Sequence, residues 1–220
     1  MDIELFVLTV AIYALPVLFA ITLHEAAHGY VARHFGDMTA YAQGRISLNP
    51  ARHIDLVGTI LVPLAILAVS TLAGTSGFLF GWAKPVPVNY SALRRPREHM
   101  LWVAAAGPAS NLAMALGWAA VLKIALLLPE SSFSVPLGLM GKAGIIVNLI
   151  FFFLNLLPIL PLDGGRILAS LLPHRLAWQY SKLEPFGIML LLVLLFTKVL
   201  DGVLGPLVRV SDDLIRGLVT

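Results

Sequence analysis

Five consecutive residues, His24-Glu25-Ala26-Ala27-His28, set two imidazoles four positions apart with a carboxylate beside the first. On a helix that spacing puts both rings on one face about one turn apart, so two neutral imidazole nitrogens can reach a single ion. Zinc suits such ligands, and a catalytic zinc keeps one coordination position open for water. A glutamate beside the first ligand can take a proton from that water and return it to a leaving amine, the chemistry of the H-E-x-x-H pattern. In a soluble helix the same residue types usually form a solvated face. Here the neighbours are apolar, and ionisable groups inside a membrane span are costly enough to read as functional by default.

Two histidines leave a zinc short of a third protein ligand. The chain contains no cysteine, which excludes disulfides, thiolate ligands and a cysteine nucleophile. An Asp or Glu near the end of a span is the remaining choice, and Asp163 stands out. It closes the stretch Asn155-Leu156-Leu157-Pro158-Ile159-Leu160-Pro161-Leu162-Asp163-Gly164-Gly165, where proline frees the backbone and glycine permits a turn that points a carboxylate back toward the metal. A cap on the helix that follows is the other reading of the same residue.

The elements that must carry these groups are membrane helices. Hydrophobic residues make up 59% of the 220, charged residues 12%, and the mean hydropathy is +0.89, far from the apolar fraction of about 45–50% found in soluble domains. Runs at 56–73, 101–128 and 145–160 approach or exceed the roughly 20 apolar residues that cross a bilayer. Asp2 and Glu4 precede the first apolar run without a basic leader, so no removable signal is expected. A net charge of +3 and a pI near 9.4 do not point to nucleic acid, because the basic residues are scattered through loops rather than gathered on a soluble face.

The sequence reads as an all-α, multi-pass membrane protein of about five to six membrane segments forming a single domain over 1–220. Helices are expected at about 4–34, 99–128 and 139–157, with a last span at about 185–200 and a weaker amphipathic tail. Residues 37–55 are turn-rich, with a possible short strand at 42–48, and the two prolines of Lys84-Pro85-Val86-Pro87-Val88-Asn89 forbid a helix there. Arg33, Arg45, Arg52, Lys84, Arg94, Arg95 and Arg97 flank the 56–73 run on both sides. Because short cytoplasmic loops collect lysine and arginine, residues 56–83 are expected to leave and return on one side as a re-entrant element. A plain transmembrane helix with an atypical outer loop is the alternative. The re-entrant reading also places Arg166, Arg175 and Lys182 inside and Glu130 and Lys142 outside. The 84–89 loop then becomes a candidate wall of a polar cavity.

Three motifs in order, HEAAH in the first span, GPASN (107–111) in a later one and NLLPILPLDGG (155–165) ending another, resemble the site-2 protease family of intramembrane zinc metalloproteases over most of the chain. The resemblance implies one zinc held by His24, His28 and Asp163, Glu25 as general base, and Asn155 as a polar group near the scissile bond. Asn155 could hold the substrate backbone or a developing oxyanion, or simply join two helices. It further implies a metalloendopeptidase that cuts in or near transmembrane segments of protein substrates in the cell membrane, with its metal toward the cytoplasmic side. No stretch reads as a PDZ domain, so the chain looks like a compact member. The 84–89 loop resembles an edge that could pair with an unwound substrate strand.

Gly107 and its small neighbours are most simply a packing surface, with Asn111 a lesser candidate for the site. His34, His53, His99 and His174 read as interfacial, and Arg45 and Arg52 as cytoplasmic anchors. Two rival functions use the same residues: a metal transporter in which Glu25 binds rather than catalyses, and an inactive relative that keeps the metal as a staple. Few other intramembrane carboxylates are present to form a relay, and Glu25 is intact.

Overall fold

The computed structural model describes residues 3–53, 55–61, 65 and 84–219. Eight helices run through the described residues: α1 (Ile3–His34), α2 (Thr39–Ala42), α3 (Pro96–Leu127), α4 (Ser134–Asn155), α5 (Asp163–Leu171), α6 (His174–Ser181), α7 (Glu184–Phe196) and α8 (Val199–Gly217). Short 3-10 turns lie at Pro50–Arg52 and Tyr90–Ala92, and a π-type turn at Leu56–Leu61.

Three stretches are long and apolar enough to cross a membrane: Val7–His34, Pro96–Leu127 and Ser134–Asn155. Helices α6 and α7 would make a fourth if taken as one span bent by 63°. The described residues therefore carry three or four segments where five to six were expected. The expected span at 185–200 is the 13-residue α7, which stops before Lys198, a residue with φ of 59°. Of the expected segment 56–73, only residues 56–61 and 65 are described, so its course lies outside the described residues.

No strand occurs among the described residues. The expected strand at 42–48 instead comprises the end of α2, a turn through Gly44 and three irregular residues. A strand needs a ladder of backbone hydrogen bonds, and this segment is tied to its neighbour by a side chain instead. Arg45 donates to the carbonyl oxygens of Lys84 (2.9 Å) and Pro85 (3.2 Å).

The core is α1, α3 and α4, packed antiparallel in succession. Small residues set the spacing: Gly141 and Gly144 of α4 lie against Leu122 and Trp118 of α3 so closely that a Cβ at either would collide. Such close approach is how apolar helices associate in a membrane, where the hydrophobic effect gives no drive between them. Leu122, Ile145 and Leu149 are buried there, together with Ile215 of α8. Apolar side chains such as Val7, Leu116, Ile124, Phe186 and Phe196 stay exposed, as suits a surface in contact with lipid.

One end of this bundle gathers the loops. Gly36 takes φ of +106°, which ends α1 in a left-handed turn suited to glycine and drives Asp37 inward, fully buried. The Phe35 carbonyl accepts from the Arg94 N–H at 3.1 Å, and the His53 carbonyl from the Lys84 N–H at 2.9 Å. The chain thus enters and leaves the 54–83 stretch at the same end of the bundle. Helix α5 lies there as well, its last carbonyls capped by Arg97 of α3, which donates to Ser170 (2.7 Å), Leu171 (3.0 Å) and Leu172.

Candidate active site

His24 and His28 lie toward the C-terminal end of α1 and face α3, where Gly107 leaves room for both rings. A Cβ at Gly107 would stand 2.5 Å from His28 Nε2 and 2.6 Å from His24 Cε1. Asp163 arrives from the second stretch as the first residue of α5. The 156–162 turn, with its two prolines, aims it inward. Its carboxylate points at the imidazoles, and all three residues are at least nine-tenths buried.

Three atoms converge. His24 Nε2 and His28 Nε2 are 3.1 Å apart, and Asp163 Oδ2 is 3.2 Å from the first and 3.4 Å from the second. Metal–ligand bonds of about 2.0–2.1 Å at tetrahedral angles separate ligand atoms by about 3.3–3.4 Å, so the spacing fits a zinc-sized ion.

The hydrogens support the same conclusion. His28 Nδ1 lies 2.7 Å from the Val103 carbonyl, an oxygen that can only accept, so Nδ1 carries the proton. His24 Nδ1 lies 2.6 Å from Asn111 Oδ1. That amide's orientation is fixed because its nitrogen donates to the Ala20 carbonyl (3.2 Å) and to Asn148 Oδ1 (3.0 Å). As neutral metal ligands both rings then present bare Nε2 lone pairs, with the two nitrogens 3.1 Å apart. Asp163 Oδ2 is buried with no hydrogen-bond donor among the described residues. Three lone pairs aimed at one point with no proton between them are tolerable only around a cation.

Glu25, one residue on, faces a different neighbour. Its Oε2 accepts from the Val86 N–H at 2.7 Å, so the 84–89 loop sits directly on this carboxylate. The loop is held elsewhere too: Asp37 Oδ2 accepts from the Asn89 N–H at 2.7 Å while its Oδ1 accepts from Thr39 (2.9 Å), and Arg45 grips the Lys84 and Pro85 carbonyls. Gly29 lets Val86 and Ile46 lie against α1.

Asn155, the last residue of α4, is half-buried and donates back to the Phe151 carbonyl at 3.0 Å. His53 and His99 are buried rather than interfacial. His53 bonds the Ser47 carbonyl (2.8 Å), and His99 accepts from the Arg95 N–H and stacks on Phe35. Neither joins the metal-competent group.

Asn111 and Asn148 are the residues that sequence reasoning underrated. Asn111 was read mainly as packing, and Asn148 drew no notice. The available signal was a carboxamide within an apolar helix, Asn111 sharing one face of α3 with Val103 and Gly107.

Residues 128–197 match the model of Peptidase family M50. The chain is 39% identical over 200 residues to a Bacillus subtilis protein named "Putative zinc metalloprotease YwhC", covering 90% of this chain and 85% of that one. Two proteins named "Putative zinc metalloprotease Rip2" are also similar. The Mycolicibacterium smegmatis one is 27% identical over 188 residues and the Mycobacterium tuberculosis H37Rv one 28% over 194. Each match covers 84% of this chain and 66% of the relative. No solved structure matches the chain. The resemblance first seen in three short motifs thus extends along nine-tenths of the sequence, and the chain belongs to peptidase family M50, the site-2 type of intramembrane metallopeptidase.

Proposed function

We propose that the chain is a zinc endopeptidase whose metal is held by His24, His28 and Asp163, and that it cuts peptide bonds in or near transmembrane segments of membrane protein substrates. The observation that carries this reading is the meeting of two bare imidazole nitrogens and an orphaned carboxylate oxygen at tetrahedral spacing within a membrane bundle. Zinc bound there supplies a Lewis acid for the scissile carbonyl and lowers the pKa of a water. Glu25 is the general base: one carboxylate oxygen is held by the Val86 N–H, which leaves the other to take a proton and hand it to the leaving amine. Asn155 holds the substrate backbone, and Val88 of the adjoining loop offers backbone groups to an unwound strand.

The whole chain acts as one membrane domain in the cell membrane, of five to six segments if the 56–83 stretch contributes re-entrant or spanning elements. The metal lies toward the cytoplasmic side, as is supported by the basic residues Arg45, Arg52, Lys84, Arg94, Arg95 and Arg97 sharing the end of the bundle to which His24 and His28 are nearer. A substrate helix must unwind locally before attack, because its carbonyls are otherwise hydrogen-bonded and shielded.

Glu25→Gln is the decisive variant. With purified protein and a model transmembrane substrate, cleavage should fall by about 10²–10⁴-fold while zinc content stays stoichiometric. Retained cleavage would remove the mechanism, and metal flux into liposomes by the wild type would favour transport.

A further inference from the structure

Beyond the three ligands, a line of carboxamides runs from the site into the bundle. Asn148 and Asn111 are both fully buried, one on α4 and one on α3, at a depth where an unpaired polar group is costly. Asn148 Nδ2 donates to the Gly144 carbonyl one turn back on its own helix, at 2.9 Å. A carbonyl oxygen only accepts, so that contact fixes which end of the Asn148 amide is oxygen. Its Oδ1 then faces Asn111 Nδ2 at 3.0 Å. The second hydrogen of Asn111 Nδ2 goes to the Ala20 carbonyl, and Asn111 Oδ1 is left for His24 Nδ1.

We infer that Asn148 is a positioning residue for the metal site, fixing through Asn111 the tautomer and orientation of His24 so that its Nε2 lone pair faces the ion. The polarity of the line is set by the Gly144 and Ala20 carbonyls, which no rotation of the amides can reverse without setting oxygen against oxygen. If the Asn111 amide turned over, its nitrogen would face His24 Nδ1, the ring would carry its hydrogen on Nε2, and the lone pair needed by the metal would be gone. Asn148 keeps the first Asn111 hydrogen satisfied and so holds the amide in the productive sense. Helix α4, which contributes no ligand of its own, thereby helps to align the site. Gly144 has a double role, because it admits Trp118 and supplies the anchoring carbonyl.

This inference rests on the reading of His24, His28 and Asp163 as zinc ligands, and the experiment separates the two. Zinc affinity of the full chain in detergent is measured by competition with a chromogenic chelator, alongside thermal unfolding of the metal-free protein. His24→Ala should abolish stoichiometric zinc binding; if it does not, the ligand assignment fails first. Asn148→Leu keeps the branching at Cγ and removes the acceptor, and its zinc affinity should fall about tenfold, the lower end for loss of an outer partner because Ala20 still holds Asn111. Asn148→Asp, as the neutral acid, keeps an oxygen facing Asn111 and an O–H for the Gly144 carbonyl, and should stay within about threefold of wild type. Placed in an Asn111→Ala background, Asn148→Leu should cost less than twofold, because the route is already cut. Unchanged affinity in Asn148→Leu, or an equal loss in both backgrounds, overturns the inference. Should Asn148→Leu not fold, a tenfold loss in a folded Asn148→Asp protein would overturn it as well.

Discussion

His24 and Glu25 are neighbours in the chain, yet they are supported by two different kinds of structure. His24, with His28, faces the helical interior: its far nitrogen is held by Asn111, whose own amide is held by α1 and α4, and Gly107 presses against both rings. Glu25 faces a loop. Its partner is a backbone N–H of residue 86, and that loop is in turn pinned by Asp37, Arg45 and the His53 carbonyl. The difference teaches a division of labour. The proposed metal ligands rest on packed helices that cannot shift without opening buried polar contacts, whereas the carboxylate proposed as the base rests on a segment proposed to meet substrate.

The contrast breaks most readily at Gly107. A methyl group there would stand within about 2.6 Å of ring atoms of both histidines, and neither ring can retreat without losing its Nδ1 partner. Gly107→Ala should therefore lower zinc affinity by at least about 100-fold, the upper range for disturbing a ligand's surroundings, and abolish cleavage with it. Chelator competition and metal analysis of the purified variant check this. Near-normal zinc content would mean that the ligand helices are far more yielding than the packing implies.

A smaller and qualitatively different loss is expected on the other side. Val86→Pro removes the N–H that Glu25 accepts and keeps the extended backbone. A hydrogen bond to a charged group contributes about 1.5–3 kcal/mol, so the turnover rate should fall about tenfold while zinc stays bound. Zinc loss in this variant would merge the two regions into one. Full activity would free Glu25 from the loop altogether. Val88→Pro, which leaves Glu25 untouched, should instead raise KM if the loop pairs with substrate.

Much of this was legible in sequence, and the reasons differ from residue to residue. His24 and His28 announce themselves because helical spacing alone brings them to one face, and Glu25 because a carboxylate beside the first imidazole completes the H-E-x-x-H pattern. Asp163 was readable because proline and glycine around a lone carboxylate in an apolar chain need a purpose. The bounds of α1, α3 and α4 follow from apolar runs closed by Gly36, opened by Pro96 and ended near Pro158. Asn111 and Asn148 were hidden because nothing local distinguishes an amide that bridges two helices from one that orients a ligand; only the antiparallel register of α3 and α4 brings them to 3.0 Å. The strand expected at 42–48 fails because a short segment does not say whether a pairing partner exists, and here the Arg45 side chain ties it to its neighbour instead. The role of Asp37 was obscured for a similar reason. It opens the turn-rich 37–55 stretch, where nothing local shows that the left-handed Gly36 folds it inward onto the loop.

The smallest expected effect tests a link between α3 and α5 at the end of the bundle where the loops gather. Arg97 of α3 donates to the last carbonyls of α5, the helix whose first residue is Asp163. This clamp fixes α5 at the end opposite its ligand, so removing it lets the carboxylate drift without disturbing the imidazoles. The side chain is exposed, and exposed charge contacts are typically limited to about 1 kcal/mol. Arg97→Ala should therefore weaken zinc binding by about threefold to fivefold. Arg97→Lys should recover only part of that, because a point charge cannot reproduce the planar fork that reaches neighbouring carbonyls. A loss as large as that of Gly107→Ala would show that Asp163 depends on the loop end as heavily as the histidines depend on the interior, and the division between the two regions would have to be redrawn around α5.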